Sequence, residues 1–214
     1  YGRTSSTSVA QETPRNLFGF KDGTNNIKSE DGDAKLNEHL WVQKGDDSGA
    51  DWMTGGTYFV VRKIHMFAEM WDNLRLIEQE QTFGRDKRYG APLNVTAPTS
   101  GKDEFKPIDF KAKNKEGELE VPADSHIAIV NPEQNKGRWM LRRGYNYTEG
   151  SDALGRLSAG LFFIAFVRDP RTNFYPILDK MTQKDALSEY LQHQARALFA
   201  IPAGIGQSDT MVGQ

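Results

Sequence analysis

The sequence predicts an α+β domain: a ferredoxin-like split βαβ sheet with helices on one face and a large apolar ligand or a second domain expected over the other. Three observations carry this. Residues 57–67 form a β-branched and aromatic run, the composition of a strand. Residues 160–167 are almost continuously apolar, as in a central strand covered on both faces. Each run is followed by a segment with apolar residues at helical spacing. The resulting order is strand, helix, strand, short hairpin, strand, helix, strand, which is the split βαβ arrangement.

The elements follow in order. Residues 1–16 are polar and aperiodic and read as a tail or linker, so the domain is expected over 17–214. Residues 17–56 are rich in turn clusters, at Asp22–Asn26, Ser29–Asp33 and Gly45–Asp51, with Trp41-Val42 as an apolar island between them. After the strand at 57–67, Met70, Trp71, Leu74 and Ile77 recur at helical intervals between charges, predicting a helix over 68–81. Residues 83–120 are rich in glycine, proline and charge with no period, a long irregular excursion of the kind that carries function or is disordered. Ile127–Val130 and Trp139–Leu141 read as short strands, 173–191 as one or two helices and 198–201 as a last strand before Pro202.

Composition narrows the chemistry. The 214 residues are 37% hydrophobic and 26% charged, with 27 Lys+Arg against 29 Asp+Glu and a net charge of −2. That is an ordinary globular balance, without the basic excess of a nucleic-acid-binding protein. The longest apolar run, Leu161 to Val167, falls far short of a membrane span. No cysteine is present, which excludes disulfides, thiolate zinc sites, iron–sulfur clusters and thiolate-ligated haem. The chain opens on Tyr1 and a Ser/Thr-rich stretch rather than on methionine, so an export signal is expected upstream and an extracytoplasmic location with it.

Several residues stand out chemically. Asp22 lies in Gly19-Phe20-Lys21-Asp22-Gly23; bracketing glycines let the backbone fix an acid toward a ligand, although Asp-Gly is also a common turn. His126 follows Ala123-Asp124-Ser125 and is expected to open a strand, either as a half-buried hydrogen-bonded ring or as a metal or haem ligand. His39, His65 and His193 are placed in a polar loop, on a strand and near a helix end, and no pair has zinc spacing. Of Arg142 and Arg143, adjacent on a strand, one faces inward and one outward; an inward arginine needs an anionic partner. Arg85 is a candidate anion clamp, and Glu189, among Leu187, Tyr190 and Leu191, is either a surface acid or one turned inward to hold an imidazole N–H. Asp22-x-Thr24-x-Asn26 begins like a calcium loop but has Ile27 where that loop turns on glycine.

Taken in order, Gly19 to Asn26, Phe83-Gly84-Arg85, Asp124-Ser125-His126, Leu141-Arg142-Arg143-Gly144-Tyr145-Asn146-Tyr147 and Gly160 to Ile164 strongly resemble the dye-decolorizing peroxidases. Within that family they are most similar to the bacterial deferrochelatase-like branch associated with iron uptake. The resemblance covers residue 16 to about 206 and implies a haem peroxidase that reduces hydrogen peroxide through a ferryl-type oxidant and oxidises bulky substrates such as dyes. The alternative it implies is a haem-binding protein that releases iron from haem. The implied cofactor is haem b. His126 corresponds to the proximal ligand and Asp22 to the distal acid/base. Arg142 corresponds to the distal arginine, with Arg143 the alternative, and Asn26 to a distal asparagine. Arg85 corresponds to the arginine on a haem propionate and Glu189 to the acid that holds the proximal histidine, while Leu161 and Phe163 would line the pocket. Implied partners are peroxide, an organic reductant, iron-uptake components and further copies of the chain. Two departures accompany the match. The family carries two ferredoxin-like domains and this chain matches only the second, so the first is expected to have been cleaved or to exist as a separate chain. Some relatives also have an asparagine where Gly144 stands.

Overall fold

A computed structural model describes residues 13–46 and 49–206. The tail expected over 1–16 therefore lies mostly outside the described residues. Its last part is not a loose tail: Arg15 donates from Nη1 to the carbonyls of Gly19 (2.7 Å) and Lys87 (2.6 Å), and from Nη2 to that of Arg88 (2.7 Å).

The helical elements are α1 (Asp33–His39), α2 (Ala68–Asp72), α3 (Leu76–Phe83), α4 (His126–Val130), α5 (Pro170–Asn173) and α6 (Tyr175–Lys184). The strands are β1 (Thr57–Met66), β2 (Leu141–Arg142), β3 (Tyr145–Ser151), β4 (Leu157–Val167) and β5 (Leu191–Ile201). They form one antiparallel sheet in the order β2-β4-β1-β5, with β3 also paired to β4. Val60, Ile64 and Met66 of β1 are buried and point to the face that carries Leu161, Phe163, Ala165 and Val167 of β4. One part of this face packs Val60, Ala165 and Val167 against Phe174 and Leu178 at the head of α6. The other packs Met66 and Leu161 with Phe18, Phe20, Trp71, Phe83 and Leu187.

Three expectations change. Residues 127–130 are not a strand but the helix α4. An apolar run this short has no period of its own, and packing decides it: Ala128 and Ile129 are buried within the described fold. The second strand of the split βαβ unit is supplied instead by β2 and β3. The last strand begins at Leu191 rather than 198. Finally, among the described residues β4 is covered on one face only. Ala159, Ala165 and Val167 are fully buried, whereas Phe162 on the opposite face is 39% exposed and Phe166 stacks on a half-buried Phe59 at 4.9 Å.

Candidate active site

The acid loop is anchored before Asp22 is presented. Asn16 closes a tight turn: its backbone N–H donates to the carbonyl of Phe20 (2.9 Å), and its side-chain oxygen accepts from the Phe20 N–H (3.1 Å). Gly19 sits at φ 85° and Gly23 at φ 104°, conformations that favour glycine. Phe18 and Phe20 drive into the core. Phe18 stacks on Trp71 at 4.4 Å and Phe20 on Phe83 at 4.0 Å. Glu104, from the irregular excursion, holds the loop on both sides of Asp22. It pairs with Lys21 at 2.8 Å, both side chains buried, and accepts from Thr24 Oγ1 at 2.6 Å. Asp22 is thus fixed by its neighbours while its own carboxylate stays 29% exposed.

Across the loop stands Arg142, on the two-residue strand β2. Its Nη1 lies 3.9 Å from Asp22 Oδ1, and its Nη2 donates to the Asn25 carbonyl at 2.9 Å. At that separation the attraction is about 1 kcal/mol in water and about 4 kcal/mol at the effective dielectric of a protein surface. Asn26 grips the Arg142 peptide at both ends: its Nδ2 donates to the Arg142 carbonyl (2.8 Å) and its Oδ1 accepts from the Arg142 N–H (2.9 Å). Asn26 is therefore a positioning residue. Arg143 is exposed and lies 5.9 Å from the Tyr145 ring, so Arg142 is the inward member of the pair. Gly144 explains the departure at its position. A Cβ there would come within 2.9 Å of Leu161 Cδ1 and 3.3 Å of Asp22 Oδ2, so a side chain would press directly on the acid.

His126 is the first residue of α4 and follows Ser125, which is fully buried and donates to the Pro122 carbonyl at 2.6 Å. The approach of α3 to α4 depends on Gly84. It is left-handed at φ 81°, and a Cβ on it would fall 2.6 Å from Ile127 Cγ1 and 2.8 Å from Ser125 Oγ. His126 Nδ1 lies 2.7 Å from Asp185 Oδ2, and the Asp185 side chain is 1% exposed. The other Asp185 oxygen accepts from the Leu187 N–H at 2.9 Å. A buried carboxylate on Nδ1 assigns the ring proton to that nitrogen and leaves the Nε2 lone pair as the donor. This is the tautomer an iron ligand needs, so the residues present fit a haem.

The expected holder of the imidazole, Glu189, does not take that part. It is exposed, in the 3-10 turn Ala186–Tyr190, and the acid on His126 is Asp185 four residues earlier. Both acids are visible in the sequence. What separates them is the chain reversal after α6, where Asp185 caps the next turn through Leu187, and no periodicity announces it. Glu104 also escaped the sequence reading, because it sits in a segment without pattern.

Arg85 is buried. Its Nη1 donates to the carbonyls of Gly90 (2.6 Å) and Glu104 (2.9 Å), and burial pushes its pKa down to about 10, against the opposing pull of Glu104. With Thr24, Asn25, Phe105, Asn131 and Trp139 it lines a cavity of about 240 Å³. Leu161 touches the acid loop's core cluster, and Phe163 lies on the same sheet face, 6.2 Å from Phe174. Asp22 and His126 are tied into one core through a short relay: Phe83 lies 6.0 Å from the His126 ring and stacks on Phe20, two residues before Asp22. The remaining histidines lie apart from this arrangement. His39 is buried at the end of α1 rather than in a loop, His65 is on β1, and His193 is on β5 rather than near a helix end.

Residues 13–206 match the family model described as Dyp-type peroxidase, C-terminal. The chain is 38% identical over 192 residues to a dye-decolorizing peroxidase of Thermobifida fusca, covering 89% of this chain and 43% of that protein. It is 36% identical over 209 residues to a deferrochelatase of Yersinia pseudotuberculosis, covering 97% and 46% respectively. Among solved structures, ferric DtpA from Streptomyces lividans superposes with a TM-score of 0.89 at 37% identity, over 100% of this chain and 55% of that one. The chain thus spans a little under half the length of the curated relatives it matches.

Proposed function

We propose that this chain, which belongs to the Dyp-type peroxidase family, forms the haem-binding part of a peroxidase that reduces hydrogen peroxide at the expense of a bulky organic reductant such as a dye. The observation that carries the reading is the pairing of two preset units on one core: an imidazole with Nε2 free and Nδ1 held by Asp185, and a carboxylate–guanidinium pair, Asp22 and Arg142.

Haem b, when bound, supplies the redox-active iron that takes electrons one at a time from the reductant. His126 would hold that iron through Nε2, and Asp185, by accepting the Nδ1 proton, makes the ring a stronger donor. Arg85, with Nη1 committed to two carbonyls, keeps its remaining N–H groups for a porphyrin carboxylate. Leu161 and Phe163 offer apolar wall. Asp22 is placed to take a proton from one peroxide oxygen and to deliver it to the other. Arg142 stabilises the negative charge that builds on the departing oxygen. Asn26 keeps Arg142 in register by holding its peptide.

The test is Arg142→Leu in the haem-loaded protein. Haem content should be unchanged while the rate of reaction with peroxide falls by about 10²–10³. An unchanged rate in stopped-flow spectra contradicts the role assigned to Arg142. The deferrochelatase relatives support a second reading, release of iron from haem. Measuring free iron and peroxide turnover in the same sample separates the two, because iron release does not require the Asp22–Arg142 pair.

A further inference from the structure

Directly across the sheet from Phe163, β1 carries a cation with no carboxylate partner among the described residues. Arg62, midway along β1, is 8% exposed. Its guanidinium carbon stands 6.0 Å from the centre of the Phe174 ring. It is paired across the sheet with Phe163 on β4 and with Arg196 on β5. Directly opposite residues of an antiparallel pair share a face, so two guanidinium groups and an aromatic ring are gathered there. Like charges set opposite each other destabilise a sheet, and a buried cation normally has a partner.

The other covered cations obey that rule. Lys21 pairs with Glu104, Arg168 with Asp46, and Arg85 donates to two carbonyls. Among the described residues no carboxylate forms an ion pair with Arg62 or Arg196. Burial, and then the charge of Arg196, push the Arg62 pKa down to about 10. His193, three residues before Arg196, is open to solvent on part of its surface. Burial of the rest and the nearby Arg62 still push its pKa down to about 4. It is therefore neutral at pH 7 and adds a hydrogen-bonding group rather than a third charge.

We propose that Arg62 and Arg196 form a binding site for the carboxylate of an apolar or aromatic organic acid, with Phe163 and Phe174 as its apolar wall. The planar guanidinium fork matches a carboxylate through paired N–H···O bonds, and the two rings favour an acid with an apolar body. The carboxylate can belong to a free organic acid or to a porphyrin. The assignment stands independently of iron chemistry at His126.

The test uses the full 214-residue chain without haem, with benzoate as the probe and benzamide as its uncharged counterpart. Arginine Nε–H resonances are followed by NMR. Benzoate should shift Arg62 and Arg196 saturably, benzamide should bind at least about tenfold more weakly, Arg62→Gln should abolish the response and Arg196→Gln should weaken it about tenfold. Competition of benzoate by haemin but not by haemin dimethyl ester identifies a porphyrin carboxylate as the occupant; no competition identifies a free organic acid. A well-dispersed spectrum with no saturable benzoate shift overturns the proposal. So does equal binding of benzoate by Arg62→Gln, or of benzamide by the unsubstituted protein.

Discussion

At His126 a single hydrogen bond decides which nitrogen is available. Asp185 is nearly inaccessible and shares its two oxygens between the imidazole and the Leu187 N–H, so neither the ring nor the carboxylate can rotate without leaving a buried group unpaired. Asp185→Asn keeps the shape but permits the opposite tautomer. Haem affinity measured by titration should fall about 10–100-fold, and Glu189→Gln, at an exposed position, should leave it unchanged. The reverse pattern contradicts the placement of the acid. The sequence exposed the types of these residues but not their pairing. Asp22, Asn26, Arg142 and His126 stand in recognisable local contexts. Asp185 differs from Glu189 only in where the chain turns, and a turn made by tertiary contacts leaves little local trace.

At the scale of the element, the loop over 16–24 holds its acid by burying the two aromatic rings beside it. Phe20 is 2% exposed, stacked on Phe83 and edge-on to Trp71 at 6.0 Å. Phe20→Ala should cost about 3–5 kcal/mol of stability in chemical denaturation. It should also slow the peroxide reaction by releasing Asp22, and a full rate in a folded Phe20→Ala protein argues against that anchoring. Elements with a strong pattern were legible: the alternating burial of β1 follows its sequence, and 68–83 is helical, interrupted between α2 and α3. The run 127–130 was not, because four apolar residues satisfy a strand and a helix turn equally and only the neighbouring helices select between them.

Over the whole molecule, the sheet is covered unequally. Its helix-bearing face holds Val60, Ala165 and Val167 at no more than 4% exposure, while Phe199 on the other face is 51% exposed. Val60→Ala should therefore destabilise by about 1–3 kcal/mol, and Phe199→Ser by less than about 1 kcal/mol. Equal costs in parallel unfolding experiments contradict this division of the sheet. The apolar character of β4 predicted cover on both faces; within the described residues only one has it. The ferredoxin-like class and its helix layer followed from the order of patterned segments, although the segment 127–130 counted as a strand is a helix; the extent of β5 did not, since the mostly polar run 192–196 hides its first half.

The account rests on iron held through His126 Nε2, and spectroscopic haem titration tests that most directly. The wild-type chain should bind haem saturably at one equivalent with the spectrum of an imidazole-ligated ferric haem. His126→Ala should lose that spectrum and recover it in part when free imidazole is added. Should His126→Ala bind haem with the same affinity and the same spectrum as wild type, the central assignment is wrong.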